Sequence, residues 1–157
     1  MPDVRLARFP EDAALVAALF GEYAQGLGID LSFQHFDDEL VDIAGHYPCS
    51  EGGVLLAFDG GQALGCVAVH ACAWPDIAEL KRLYLRPASR GLGVGRRLAE
   101  AAIARAWDCG YTRIRLDTLP DMQAAQRLYA ELGFREIQPY RHNPVAGTRY
   151  LERTRRP

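Results

Sequence analysis

Apolar positions in the first part of the chain alternate over one stretch and recur at helical spacing over two others. Residues 4–9 alternate between polar and apolar and predict a strand. In 10–26 the apolar residues keep helical spacing, after a proline and two acids that are typical of a helix start. A second helical segment, 37–43, follows an aromatic-rich loop.

Three apolar runs come next and predict an antiparallel meander. An Asp-Gly turn at 59–62 joins the runs 53–58 and 63–71, and such a turn between apolar runs is a strong hairpin signal. A third strand at 79–85 alternates apolar residues with polar ones. We expect these three strands to pair in the order in which they occur.

The second half of the chain predicts a parallel crossover. Helical spacing covers 93–109 and a strand covers 111–118, so the strand at 79–85 is followed by a helix and another strand. Such a unit places the two strands parallel, with a right-handed connection. A shorter helix at 120–133 leads to closing strands, which are predicted at 134–138 and 148–152. The predicted fold class is therefore α/β (α+β), with flanking helices on a mixed sheet of about seven strands.

Length and composition are those of one ordinary globular domain. At 157 residues the chain is expected to fold as a single unit, 1–157, and 49% of its residues are hydrophobic. No apolar run approaches the ~20 residues of a membrane span, and charges interrupt the N-terminus where a signal peptide would be apolar. These features predict a cytoplasmic protein without a membrane partner. The four Cys have no C-x-x-C spacing and the four His are scattered, so no metal site is predicted.

Charge is distributed unevenly although the net charge is only −2. Residues 10–79 contain twelve acids and no Lys or Arg, whereas 81–157 contain sixteen Lys and Arg against seven acids. One acidic and one basic region favour ligands of opposite sign over nucleic acid, which needs a continuous basic surface. A chance asymmetry is the alternative.

A glycine-rich loop joins the strand at 79–85 to the following helix. The first N–H groups of a helix are unpaired and carry partial positive charge, so a phosphate placed against this loop would meet several donors at once. Basic side chains add full charges. The residues expected to contact the anion are Arg90, Gly91, Leu92, Gly93, Val94, Gly95 and Arg96.

Spacing separates the phosphate loops that this motif could represent. A dinucleotide fingerprint needs a third glycine where Arg96 stands, and a nucleoside-triphosphate loop needs Gly-Lys-Ser/Thr, which is absent. The remaining pattern, Arg90-x-x-Gly93-x-Gly95, resembles the pyrophosphate loop of the GNAT superfamily of acyl-CoA-dependent N-acetyltransferases. On this motif alone, a glycine-rich turn without a ligand stays open.

A second motif strengthens the resemblance. Ala125-x-x-Leu128-Tyr129-x-x-Leu132-Gly133-Phe134 is similar to another GNAT signature, and the order of predicted elements is similar to the whole GNAT fold. Many members carry an Asn seven residues before the tyrosine, where this chain has Met122, so the cofactor contacts of that Asn are in doubt. The resemblance implies acetyl-CoA as acyl donor and a splayed pair of parallel strands. Its acyl-pantetheine is expected against Leu83, Tyr84 and Leu85.

The resemblance also implies catalytic roles. Glu79 stands where relatives activate the incoming amine, usually through water, with Asp117 as the rival carboxylate; a salt-bridged Glu beside Lys81 is the structural alternative. Tyr129 stands where relatives protonate or hydrogen-bond the leaving CoA sulfur, and its alternative is a core aromatic. A thiol pKa near ~8.5 and a phenol pKa near ~10 suit that transfer. Direct amine attack needs no enzyme nucleophile.

The acceptor is expected to be a small amine or an amino-acid-like compound. An acidic segment beside aromatic residues favours a cation, with a solvated helix face as the alternative, and Arg141 or Arg149 could hold a carboxylate. The competing function is an acyl-CoA-binding sensor or a non-catalytic GNAT-like module; a homodimer is left open. The acidic and aromatic residues in question are Asp30, Phe33, His35, Phe36, Asp37, Asp38, Glu39 and Asp42.

Overall fold

The computed structural model describes residues 2–28, 31, 35–72 and 76–156. Within them, seven strands form one mixed sheet in the order β1-β2-β3-β4-β5-β7-β6. The strands are β1 (Asp3–Leu6), β2 (Gly53–Asp59), β3 (Gln62–Ala71), β4 (Ile77–Leu85), β5 (Arg113–Thr118), β6 (Arg135–Ile137) and β7 (Arg149–Thr154). The helices are α1 (Ala13–Leu27), α2 (Phe36–Val41), α3 (Ile43–His46), α4 (Val94–Asp108) and α5 (Gln123–Glu131).

The antiparallel meander and the parallel crossover are both confirmed. Asp59 pairs with Gln62 across the predicted turn, and β3 pairs antiparallel with β4. Beyond α4, β5 returns parallel to β4. The predicted mixed sheet with flanking helices is therefore present.

The parallel strands β4 and β5 separate after three residue pairs. Ile77 pairs with Arg113, Ala78 with Ile114 and Glu79 with Arg115, and no later pair joins the two strands. β4 continues to Leu85 with β3 as its sheet neighbour. This divergence is the splayed pair that the family resemblance implies, and it opens the middle of the sheet.

A local irregularity shapes β4 inside this opening. Arg82 has φ 61°, a left-handed conformation that is uncommon for a residue with a side chain. The register between β3 and β4 shifts at the same place, between Cys66 and Ala68. The extra residue on β4 is a β-bulge, and bulges change the direction in which neighbouring side chains point.

The predicted helix at 37–43 is interrupted. Asp42 has φ −138°, so α2 ends at Val41 and α3 starts at Ile43. The Asp42 carboxylate accepts a hydrogen bond from the Gly45 N–H at 3.1 Å. An Asp that caps a new helix competes with continuation of the preceding one, which explains the break.

Two apolar clusters cover the two faces of the sheet. One lies under α4 and α5 and contains Leu80, Leu98, Ile114 and Tyr129. The other lies under the first three helices and contains Phe20 and Tyr47. Side chains of β4 therefore alternate between the α4/α5 face and the α1–α3 face, and this alternation decides which of them reach the central opening.

None of the helices in the described ranges is long and apolar enough to cross a bilayer.

Candidate active site

A cleft of about 490 Å³ lies between the end of β4 and the start of α5. Its lining is mainly apolar, with a few polar groups at the rim. Such a combination is typical of ligand sites. The lining residues are Tyr23, Gly26, Leu27, Leu83, Tyr84, Leu85, Arg90, Gly95, Asp121, Met122, Gln123, Ala124, Ala125 and Leu128.

The structure brings five of the predicted cofactor residues to this cleft, and each contributes to its wall. They are Leu83, Tyr84, Leu85, Arg90 and Gly95.

The other predicted residues of the loop are arranged differently. Gly91, Leu92 and Gly93 are exposed beside the cleft, while Val94 is buried in the core below α4. Arg96 forms ion pairs with Glu131 and, at 3.7 Å, with Glu100.

The start of α4 has the geometry of an anion site. Gly93 precedes it with φ 81°, and no side chain caps the first turn. The first intrahelical bond runs from the Arg97 N–H to the Gly93 carbonyl at 3.2 Å, so the preceding N–H groups of the helix have no helical acceptor. Arg90 lies beside this turn, with its Nε donating to the Leu85 carbonyl at 3.1 Å.

A smaller cavity continues from the cleft into the splay between β4 and β5. It shares Tyr23, Leu83, Met122 and Ala125 with the cleft. Its remaining lining residues are Leu80, Lys81, Arg82, Asp117, Thr118 and Tyr129. The cleft and this inner cavity therefore adjoin each other, and polar side chains of both strands line the inner cavity.

Tyr129 is buried on α5 and borders the inner cavity. Its ring contacts Phe134 edge to face, with centroids 5.6 Å apart. Among the described residues its hydroxyl has no hydrogen-bond partner. Burial raises the pKa of this hydroxyl, and the charge of Asp117 raises it further. The pKa is thus higher than the ordinary phenol value on which the sequence-based argument relied.

The Glu79 side chain is fully buried, and three other side chains contact its carboxylate. His70 Nε2 lies 2.9 Å from Oε1, Tyr140 donates its hydroxyl to Oε2 at 2.7 Å, and Arg141 pairs with Oε2. Burial alone would raise the pKa of Glu79, but the His70 hydrogen bond and the charges of Lys81 and Arg141 lower it to about 2. That Glu79 activates the amine stays a prediction.

Arg82 and Glu39 form a buried bidentate ion pair. Arg82 Nε and Nη2 donate to the two Glu39 oxygens, each at 2.9 Å, and both side chains are less than 5% exposed. The Arg82 guanidinium also lies 5.6 Å from the Tyr23 ring centroid and 5.2 Å from that of Phe36. This pair holds α2 against the bulge of β4.

Several acids of the predicted acceptor region are already engaged. Glu39 neutralises Arg82 and is therefore not free to attract a cation, and one oxygen of the exposed Asp42 carboxylate caps α3. Asp37 and Asp38 are exposed on α2. Asp30 and Phe33 lie outside the described residues.

The two arginines predicted to hold a carboxylate also have partners. Arg141 pairs with Glu79, and Arg149 pairs with Glu136 at 3.3 Å and donates to Gln126.

Sequence reasoning missed the partners of Glu79. His70 lies directly opposite Glu79 in the β3–β4 register, and Tyr140 and Arg141 come from the loop before β7. The hairpin turn fixes only the pairing of β2 with β3, so no sequence signal places His70 beside Glu79. Tyr140 and Arg141 are more than 60 residues away along the chain, and no local pattern indicates such a contact.

A family model described as the acetyltransferase (GNAT) family matches residues 16–134. That match covers most of the chain, which therefore belongs to the GNAT family. An uncharacterised N-acetyltransferase of Schizosaccharomyces pombe is 42% identical over 149 residues, covering 94% of this chain and 91% of its own length. The family that the two sequence motifs predicted is thus confirmed.

Solved structures agree in fold. An acetyltransferase from Streptococcus agalactiae superimposes with a TM-score of 0.78 at 21% identity, covering 98% of each chain. N-acetylglutamate synthase from Neisseria gonorrhoeae, complexed with coenzyme A and N-acetylglutamate, superimposes with a TM-score of 0.71 at 20% identity. It is matched over 100% of this chain and 36% of its own. At these identities the likeness concerns the fold alone.

Proposed function

We propose that this protein transfers an acetyl group from acetyl-CoA to the amine of a small amine or amino-acid-like acceptor. One observation carries the proposal: an uncapped, glycine-preceded helix start opens into an apolar cleft that ends beside Tyr129 and the splayed part of β4. Membership of the GNAT family and the coenzyme A complex of the Neisseria synthase support it.

The residues present fit the shape and charge of acetyl-CoA. A pyrophosphate suits the free N–H groups of the first turn of α4, with Arg90 beside them. A pantetheine chain suits the apolar wall that Leu83, Leu85 and Leu128 form. Acetyl-CoA supplies the activated acetyl group as a thioester.

An alkylammonium acceptor loses two protons in this reaction, one before and one after the nitrogen attacks, while sulfur takes up one, so one proton passes to solvent. The acceptor nitrogen bonds to the acetyl carbon, the carbon–sulfur bond breaks, and the electron pair leaves on sulfur. Tyr129 donates a hydrogen bond to that sulfur. Its raised pKa keeps the hydroxyl protonated and makes full transfer of its proton to a thiolate less favourable than from an ordinary phenol. An unpaired peptide N–H on the splayed part of β4 would stabilise the oxyanion.

Asp117 is our candidate for the proton acceptor. An alkylammonium with a pKa near ~10 must lose a proton before it attacks. Asp117 is partly exposed and borders the same inner cavity as Tyr129. Glu79, in contrast, has no exposure and a pKa of about 2, with both oxygens occupied, which suits an anion that positions Tyr140 and Arg141.

The pH profiles of two variants separate these roles. Asp117→Asn should lower kcat/KM at neutral pH by about 100-fold and regain rate as pH rises, because the free amine then forms without a base. Glu79→Gln should lower kcat/KM by a similar factor at every pH, since it displaces the loop. If kcat/KM rose with pH only in Glu79→Gln, Glu79 and not Asp117 would be the base.

A binding test examines the cofactor assignment. A Cβ at Gly95 would lie 3.3 Å from Leu85 Cδ1 and 3.8 Å from Leu128 Cδ2, so Gly95→Val should fill the cleft and weaken acetyl-CoA binding about 100-fold or more. Isothermal titration calorimetry measures this. Gly21→Val on α1 is the matched control, because a Cβ there meets nothing within 4 Å. Unchanged affinity in Gly95→Val would contradict the assignment.

The sensor alternative differs in one observable. An acyl-CoA-binding module would bind acetyl-CoA without releasing CoA in the presence of amines. The similarity to the Schizosaccharomyces pombe protein, which is described as an N-acetyltransferase, supports an enzyme over a sensor. A panel of amines, polyamines, amino acids and peptides assayed for CoA release tests the proposal. Tight binding without release for every acceptor class would support the sensor.

A further inference from the structure

The cations around the splay differ in whether they have a counter-ion. Arg82 is neutralised by Glu39, and Arg141 is neutralised by Glu79. Lys81 lies between these pairs on β4 and borders the inner cavity. Within the described part of the chain, no hydrogen bond or ion pair holds its ammonium group.

An ammonium without a partner in a partly buried position is unfavourable. Burial lowers the pKa of Lys81 and the charge of Arg82 lowers it further, and the charges of Glu79 and Glu39 offset this only in part. Removing a charge from water costs free energy that an opposite charge offsets. A ligand anion bound at Lys81 would supply that opposite charge.

Asp117 on β5 and Lys81 on β4 both border the inner cavity. Each lies two residues beyond the last pair of β4 and β5, Glu79 with Arg115, and side chains two residues apart share a face. Among the described residues, Asp117 has only a long contact, 3.5 Å, from the Asn143 amide. Besides Arg82, which Glu39 neutralises, the inner cavity therefore presents a cation from β4, Lys81, and an anion from β5, Asp117.

We propose that the acceptor is an amino acid, with its carboxylate bound by Lys81 and its amine facing Asp117. This assignment rests on the proposed function and narrows its acceptor to molecules with both charges a few bonds apart. A zwitterion matches these two charges, whereas a simple cationic amine leaves Lys81 without a partner. The sequence-based expectation of a carboxylate on Arg141 or Arg149 is replaced, because both arginines already have partners.

Matched acceptors test this proposal on the wild-type protein. The panel consists of free amino acids, the amide of each, and the amine left when the carboxylate is removed, assayed for CoA release. We expect kcat/KM to favour the free amino acid over its amide by about 10- to 100-fold, as for loss of a charged hydrogen bond. Equal kcat/KM values for the free amino acids, their amides and the decarboxylated amines would overturn the proposal and leave the acetyltransferase intact. If no acceptor in the panel caused CoA release, the proposed function itself would be wrong.

The Lys81→Met variant tests the residue. The preference for the free amino acid over its amide should disappear, through a rise in the KM of the free amino acid that exceeds any change in the KM of the amide. Arg135→Met, which removes an exposed cation on β6 away from the cleft, is the control and should keep the preference. Loss of the preference in Arg149→Met, with Lys81→Met unaffected, would overturn the assignment.

A binding measurement distinguishes loss of acceptor binding from misfolding of the Lys81→Met variant. Thermal melting with and without the best free amino acid, in the presence of CoA, reports acceptor binding without turnover. We expect the amino acid to stabilise the wild type and Arg135→Met but not Lys81→Met. Removing Lys81 also removes its charge interaction with Glu79, so the ligand-induced shift of each protein is measured against the melting of that same protein without ligand. Equal stabilisation of all three proteins would contradict the role of Lys81.

Discussion

Replacing Tyr129 by phenylalanine should lower kcat about 100-fold while changing the affinity for acetyl-CoA little. The hydroxyl acts on the leaving sulfur late in the reaction, and a single donor or acid at such a position is worth about that factor. The same variant should be at least as stable as the wild type, since the buried hydroxyl has no partner among the described residues. A lower kcat in a protein that melts no lower than the wild type would show that the Tyr129 hydroxyl acts in catalysis and not in packing.

Steady-state kinetics, calorimetry with acetyl-CoA and thermal melting together make this test. Tyr111→Phe is the matched control, because the Tyr111 hydroxyl donates to the Glu51 carbonyl at 2.9 Å, away from the cleft. That control should lose some stability and keep its kcat. Wild-type kcat in Tyr129→Phe would return Tyr129 to a purely structural role in the core.

Glu39→Gln should lower the free energy of unfolding by about 3–5 kcal/mol, the usual result of removing one partner of a buried ion pair. Arg82 is 2% exposed at its side chain and would keep its charge without a counter-ion. Urea unfolding measures this loss. Glu100→Gln is the control: the Arg96–Glu100 pair is exposed, and its removal should cost less than about 1 kcal/mol.

The same pair makes stability depend on pH. Burial by itself would raise the pKa of Glu39, but the hydrogen bonds and charge of Arg82 outweigh it and lower the pKa below its ordinary value of 4.5. A lowered folded-state pKa contributes stability above the ordinary value, and that contribution is lost as pH falls through the folded-state value. Wild-type stability should therefore decline below about pH 4.5 more steeply than that of Glu39→Gln. Parallel declines would show that Arg82 has another partner.

Features that depend on local pattern could be predicted from the sequence. The Asp59-Gly60 turn, the crossover through α4 and the glycine loop are each encoded in one continuous stretch, the longest of which is 77–118, and all three are present. The predicted ends of strands differ from the observed ends by a few residues: the first strand was predicted at 4–9, and β1 ends at Leu6. Local periodicity identifies an element well and its ends poorly.

Features that depend on distant contacts could not be predicted. Glu39 was assigned to an acidic, cation-attracting segment, yet its partner Arg82 lies 43 residues further along the chain. The bulge at Arg82 coincides with a break in the alternation, where two polar residues separate Leu80 from Leu83, but such a break does not by itself identify a bulge. Glu39 pairs with Arg82 and Glu79 pairs with Arg141, which leaves Lys81 without a direct ion pair among the described residues. Neither pairing can be predicted from the sequence.

The divergence of β4 from β5 leaves a strand edge in the middle of the molecule. Strand edges carry peptide groups that lack a ladder partner, and proteins usually cover them or keep them short. A bound pantetheine chain would take the place of a neighbouring strand, so substrate would complete the sheet. Once acetyl-CoA exceeds its dissociation constant, each further tenfold rise would add about 1.4 kcal/mol to folding stability. Amide hydrogen exchange in β4 should slow accordingly, which would make the lifetime of the folded chain a readout of the acetyl-CoA supply.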